Sequence, residues 1–323
     1  MMATASNPLP PSIRFIERDW LCANHVMFRD GTGRDVRVTL LDSGYGGTVQ
    51  TTLSHVRGVL KEWGASSLHR VVNTHIHSDH IGGNAELLRQ FSDCRIAIPA
   101  AEAAALNAWD SPPQMLSYAD QQAEAFQWHE FIEPGQTLTL GGEQWQTIAT
   151  PGHDMGSLVL YAPRLKTLIS ADALWESGAG FVPPQAIDPA ALPAQRATFE
   201  RLATLDVAWV IPGHGAMFSD FRGALKRASD KLEAFANDDL RVARSVVKGM
   251  FVYSLMWRGA LDVAALPEYV RKVGVHRDYN AQFFKMSDEA YAHWLIDEAV
   301  RTGKIAVIDG QVKYLGDGHE QRG

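Results

Sequence analysis

The stretch THIHSDHIGG, residues 74–83, places three histidines and an aspartate within the six positions 75–80. Imidazoles and carboxylates crowded this closely are costly to bury unless something binds them, and a solvated segment has no need of such a cluster. A bound cation accounts for both points. The preceding run, LHRVVNTH, reads as a buried strand, and GGNAELLRQF reads as the next helix. His75 and His77 stand two residues apart, so in extended backbone their side chains point the same way. Asp79 and His80 follow where the chain turns into the helix and project from the same rim.

Working outward, the pattern recurs three times. His153 lies in ATPGHDMGS, Asp172 in LISADAL and His214 in VIPGHG. Each ends an apolar run and sits beside small residues, as expected where backbone must approach closely to aim a side chain into a site.

The rest of the chain supplies a scaffold for these strand ends. IRFIERDWLCANHVMF and VRVTLLDSG are rich in β-branched and aromatic residues and are separated by the turn residues of RDGTGRD, the pattern of paired strands. VQTTLSHVRGVLKEWG has helical spacing and a terminal glycine. CRIAIPA reads as a strand and AEAAALNAWD as a short helix, while QTLTLGGEQWQTIATPG and GSLVLYAPRLKTLISADAL form a run of antiparallel hairpins. ALPAQRATFERLATL is helical and VAWVIPGHG is a buried strand. Two β-rich halves with helices outside define an α/β (α+β) fold, a four-layer αββα sandwich. Beyond Gly215 the texture becomes mainly helical, and DEAYAHWLIDEAVRTGKIAVIDGQVKYL reads as a helix running into a hairpin hinged on Asp309-Gly310, the outline of a winged helix. The expected domains are 1–219, carrying the ligands, and a C-terminal helical, winged-helix-like region, 220–323.

Composition narrows the function. The chain has 323 residues, 46% hydrophobic and 21% charged, enough to bury a sizeable core. A net charge of −7 argues against nucleic acid or an anionic membrane as partner, and acids and bases nearly cancel in the C-terminal region, which reads as a packing or dimerisation appendage compatible with a homodimer. Cys22 and Cys94 make no disulfide framework. With no secretory leader pattern and no apolar stretch of roughly 18 residues, a cytoplasmic protein is expected.

The ordered set HxHxDH, PGHDMGS, SADA and PGHG resembles the metallo-β-lactamase fold superfamily, over roughly residues 13–218. The resemblance implies that His75, His77 and His153 bind one metal, that Asp79, His80 and His214 bind a second, and that Asp172 bridges them. It also implies that Asp42 of LLDSG supports the ligand histidines from behind, with Ser170 as a further supporting group. Nitrogen and carboxylate donors without thiolate suit two zinc ions, with iron or manganese compatible with the same donors. The implied chemistry is hydrolysis, with a hydroxide shared by the two metals attacking the carbonyl of a small ester, lactone or thioester and Asp79 or Asp172 moving the proton. The superfamily also contains β-lactamases acting on amides, an iron-dependent persulfide dioxygenase and members that keep metal as non-catalytic sensors. Glyoxalase II-like thioesterases share a helical C-terminal appendage, but their basic glutathione-anchoring residues have no clear counterpart here.

Several further residues have two readings. Asp154 stands where many relatives carry threonine, and reads either as a cap or as an added acid behind the ligands. The segment from Trp109 to Phe131 reads as a lid or as core, and Tyr118, Trp128, Trp175 and Phe181 are candidates for the substrate pocket. His25, His55, His69, His129, His276, His293 and His319 read as structural residues.

Overall fold

The computed structural model describes residues 9–109 and 116–316. Residues 1–8 of the Pro/Ser-rich entry, residues 110–115 of the candidate lid and His319 lie outside the described residues. The chain divides into two compact units. The first comprises Met1–Ala104, Ala123–Gly180 and Pro193–Lys231; the second comprises Ala105–Gln122, Phe181–Leu192 and Leu232–Gly323.

The first unit is built on two sheets. Strands β1 (Ile13–Ile16), β2 (His25–Asp30), β3 (Arg37–Leu41), β4 (Arg70–Val72), β5 (Arg95–Pro99) and β6 (Glu130–Ile132) lie side by side in chain order, the first three antiparallel and the rest parallel. The parallel pairings follow from the helical connections: α1 (Val49–Trp63) joins β3 to β4, and α2 (Ser78–Ile81) with α3 (Asn84–Gln90) joins β4 to β5. The second sheet runs β11-β10-β9-β8-β7, from β7 (Thr137–Leu140), β8 (Glu143–Ala149), β9 (Leu158–Ala162), β10 (Thr167–Ala171) and β11 (Trp209–Pro212), with α5 (Ala191–Ala203) between the last two strands.

Alternation along these strands explains the layering. Val26, Phe28, Leu41, Val72 and Ala97 of the first sheet pack with Trp145, Leu158, Leu160, Ile169 and Ile211 of the second in one apolar cluster. Leu40, Val71 and Ile96, on the other face of the first sheet, are also fully buried, as strands covered on both sides must be. Helix α1 turns Leu53, Val56, Leu60 and Trp63 inward and ends on Gly64 in the left-handed conformation at φ +65°, which only glycine adopts cheaply. The loops after β4, β8, β10 and β11 therefore leave one or other of two buried sheets.

The second unit is mainly helical. Its core joins Phe251 and Leu255 of α7 (Asp239–Arg258) to Leu266 and Val270 of α8 (Leu266–Lys272) and to Tyr291 and Leu295 of α10 (Asp288–Val300). Strands β12 (Ala260–Asp262), β13 (Ile305–Ile308) and β14 (Gln311–Tyr314) form a small sheet in the order β12-β14-β13. The β13–β14 turn is Asp309-Gly310, both at positive φ (51° and 75°), the twist a two-residue hairpin requires. Asp120 ties the earlier segment of this unit to its helices: it accepts from Arg258 Nε at 2.7 Å, Arg258 Nη2 at 2.6 Å and Tyr269 Oη at 2.9 Å, while its carbonyl accepts from Trp257 Nε1 at 2.7 Å. Among the described residues no helix is long and apolar enough to cross a membrane.

Candidate metal centre

Seven side chains from four strand ends of the first unit meet in two adjoining sets. His75, His77 and His153 form one; Asp79, His80, Asp172 and His214 form the other, and within each set the ligand-type atoms lie within 4.8 Å of one another. His75 and His77 follow β4, and Asp79 and His80 sit in the single turn of α2. His153 follows β8, Asp172 follows β10, and His214 follows β11. All seven candidate ligands named from the sequence are thus brought together.

Asp172 faces both sets at once. Its Oδ1 lies 3.3 Å from His80 Nε2 and 3.5 Å from His214 Nε2, while its Oδ2 lies 3.4 Å from His153 Nε2. Asp79 Oδ2 approaches His214 Nε2 at 3.1 Å. His80 Nε2 is buried and, apart from the Asp172 carboxylate 3.3 Å away, has no well-directed hydrogen-bond partner, although its other nitrogen is held by Asp42. A buried donor atom aimed at carboxylates and imidazoles, with no thiolate nearby, fits a divalent cation of the zinc, iron or manganese kind.

The ligands are held from behind by the backbone and by buried polar groups. Asp42 accepts from Thr74 N at 2.9 Å and from Thr74 Oγ1 at 2.8 Å, and its Oδ2 lies 2.8 Å from His80 Nδ1. Asp42 thus lies behind His80, on the side away from the cluster. Ser170 does otherwise: its hydroxyl donates to the carbonyl of Leu174 at 2.5 Å, closing the turn that carries Asp172, and so supports the carboxylate's loop rather than a histidine. Three supporting residues had no sequence signal. Asn24 donates to the carbonyls of Pro212 and Gly215 at 3.0 and 2.7 Å, Ala23 N donates to Asp79 O at 3.0 Å, and Gln195 Oε1 accepts from His153 N at 3.0 Å.

Of the four aromatic pocket candidates, the structure brings Trp175 to the cluster. Its Nε1 donates to Asp172 Oδ1 at 3.3 Å, and its ring meets His214 edge-on at 5.3 Å between centroids. Trp20, not singled out from the sequence, lies against both: 4.7 Å from the His214 ring and 5.7 Å from that of Trp175. Trp128 packs instead on Phe131, at 4.7 Å. Tyr118 and Phe181 belong to the second unit and pack against its apolar cluster, Tyr118 against Gly274 and Phe181 against Gly249.

Electrostatics divides the histidines. Burial, with the neighbouring imidazoles, holds His75 well below its usual range, and burial lowers His77. These stay neutral and ready to donate. Burial also opposes the charged forms of His80 and His214, but the carboxylates around them, Asp172 foremost, outweigh it; His80 is raised and His214 is pushed up to about 9. In the absence of a cation both rings favour the protonated form, and a cation held by them would displace those protons. Metal uptake by the metal-free protein at pH 7 is therefore expected to release protons, and affinity is expected to fall as pH drops. Calorimetry in buffers of different ionisation enthalpy measures this; uptake independent of buffer would contradict it.

Residues 33–214 match the metallo-beta-lactamase superfamily, and the chain belongs to it. Among curated relatives, it is 31% identical over 216 residues to a hydroxyacylglutathione hydrolase of Polaromonas sp. (strain JS666), covering 66% of this chain and 69% of that protein. It is 34% identical over 113 residues to the hydroxyacylglutathione hydrolase of Rhodobacter capsulatus, covering 35% of this chain and 36% of that protein. The chain spans from 36% to 60% of the length of the first three such relatives it matches. In fold it is similar to a metallo-beta-lactamase family protein from Thermus thermophilus, at a TM-score of 0.56 and 16% identity, covering 94% of this chain and 99% of that one. A beta-lactamase domain protein from Burkholderia ambifaria is similar at a TM-score of 0.55 and 18% identity, covering 95% and 93%.

Proposed function

We propose that the protein is a dinuclear metal-dependent hydrolase of a small carbonyl substrate, a thioester first and an ester or lactone next. The observation that carries this reading is the placement of Asp172, whose two carboxylate oxygens are divided between the two ligand sets. His75, His77 and His153 would hold one cation, Asp79, His80 and His214 the other, and Asp172 both; zinc is the first expectation, with iron or manganese suited to the same donors. When bound, such a pair supplies a water acidic enough to ionise near neutral pH and a Lewis acid for the carbonyl oxygen.

The remaining tasks fall to the chain itself. Asp79, turned toward His214, would accept a proton and pass it to a leaving group. The indole of Trp175 orients Asp172 through its Nε1. Trp20 and Trp175, both part-exposed, set an apolar wall beside His214 that suits the acyl or alkyl part of a substrate. The thioester is placed first because the curated relatives bear the name hydroxyacylglutathione hydrolase.

The test is a panel of thioesters, aryl esters, acyl-homoserine lactones and a chromogenic cephalosporin, assayed on protein of measured metal content. Turnover of thioesters by protein carrying two ions per chain, abolished by chelation, is the expected result. Inactivity on the whole panel at full loading, or one iron per chain with consumption of oxygen, would overturn the proposal.

A further inference from the structure

Asp154 stands directly after a candidate ligand, yet its carboxylate faces a different one. His77 Nδ1 lies 3.1 Å from His75 Nε2 and is thus the nitrogen turned toward the three-histidine set. The opposite ring atom, Nε2, points outward and lies 3.8 Å from Asp154 Oδ2. This is ion-pair range. Asp154 is itself anchored, because its Oδ1 accepts the N–H of Gly156 at 2.8 Å.

Behind Asp154 sits a second acid. Glu102, 6% exposed, occupies the 3-10 turn that follows β5, and its side chain hydrogen-bonds Asp154. The fit depends on Gly156, since a Cβ there would collide with the carboxyl of Glu102. Two carboxyl groups in contact out of water cannot both be charged. Burial, with Asp154 beside it, pushes Glu102 up to about 9, so Glu102 is the proton donor toward Asp154.

The geometry points to Asp154, backed by Glu102, as a positioning residue that holds the His77 ring for the cation at the three-histidine set. The inference rests on the proposed reading that this set binds a cation. A carboxylate on the outer nitrogen of a ligand imidazole fixes the tautomer, aims the ring and raises its basicity, and removing such a partner typically weakens metal binding by about 10–100-fold. The effect is confined to one of the two cations, because the Asp79, His80, Asp172 and His214 set has its own support in Asp42.

The experiment is zinc titration of the full chain against a chromophoric chelator that resolves two binding steps, with Asp154→Asn, Glu102→Gln and Glu102→Leu compared with wild type. Thermal unfolding of the metal-free proteins serves as the check on folding. Asp154→Asn is expected to weaken one step by about 10–100-fold while the other stays near wild type. Glu102→Gln keeps an N–H donor for Asp154 and is expected to bind as wild type, whereas Glu102→Leu loosens the same single step. Cobalt-loaded Asp154→Asn is expected to show a changed visible spectrum for the ion in that step. Wild type with two steps and Asp154→Asn with the same two affinities would overturn the inference alone, as would equal weakening of both steps in a variant that folds normally. Wild type binding no ion at the three-histidine set would overturn the underlying reading and the inference with it.

Discussion

Replacement of Asp172 by alanine is expected to lower kcat/KM by about 10³-fold or more and to take at least one cation from each chain. The size follows from how many tasks one carboxylate performs. Its Oδ1 serves His80, His214 and the Trp175 indole, and its Oδ2 serves His153. Loss of a single preorganised charge contact at a reacting centre costs about 10²–10³ in rate, and here metal affinity is lost besides. Asp172→Asn separates the two contributions, because the amide oxygen can still accept from Trp175 while the negative charge is gone. It is expected to hold metal weakly and to remain impaired even at saturating zinc. Burial disfavours the charged carboxyl, but His214 and His80 outweigh it and hold Asp172 well below its usual range. The sign is that of a depressed acid: in the metal-free protein its contribution to stability is present above the unfolded-state value and is lost as pH falls through the folded one. Metal analysis alongside kinetics decides the matter, and near-normal rates with two bound ions would overturn the proposed bridging role of Asp172.

Much of this centre is legible in the primary structure, for a physical reason. The seven ligand-type residues lie where an apolar strand ends in small residues, and that junction leaves a local mark even though the partners it aims at are distant. Local signals likewise locate α1, with Gly64 at its end, and the β13–β14 hairpin, with its Asp-Gly turn. The superfamily resemblance read from those motifs agrees with the match over residues 33–214. The groups that steady the ligands leave no such mark. Asn24 acts on Pro212, 188 positions away, and Gln195 on His153, 42 away; neither lies in a pattern that spacing can reveal. Trp20 and Glu102 are ordinary core-forming or capping residues until the fold brings them to His214 and Asp154. Strand β6 is also silent, since three residues, Glu130–Ile132, are too few to set up an alternation and are ordered by pairing with β5.

The second large effect is expected from the smallest side chain at the centre. Gly213, directly before His214, has no room for a methyl group: a Cβ there would lie 2.3 Å from Asp172 Oδ1 and 2.9 Å from the carbonyl carbon of Ala171. The backbone cannot retreat, because Gly213 N donates to Ala171 O at 2.7 Å and Gly213 O accepts from Asn24 N at 2.7 Å. Ala171 cannot yield easily either, being already held in the left-handed region at φ +44°. What must move is the Asp172 carboxylate. Gly213→Ala is therefore expected to act through its neighbour, lowering metal affinity and kcat/KM together by about 10²-fold, with a folding cost of about 1–3 kcal/mol from overpacking. The matched control is Gly58→Ala. Gly58 lies on the exposed face of α1 with open space around its Cβ position, and alanine there is expected to stabilise the protein by about 0.5–1 kcal/mol without touching activity. Denaturant unfolding, metal content and kinetics on the two variants form one comparison. If Gly213→Ala bound two ions as tightly as wild type and turned over substrate normally, the close approach of β11 to the carboxylate would not be what holds Asp172 between the two ligand sets.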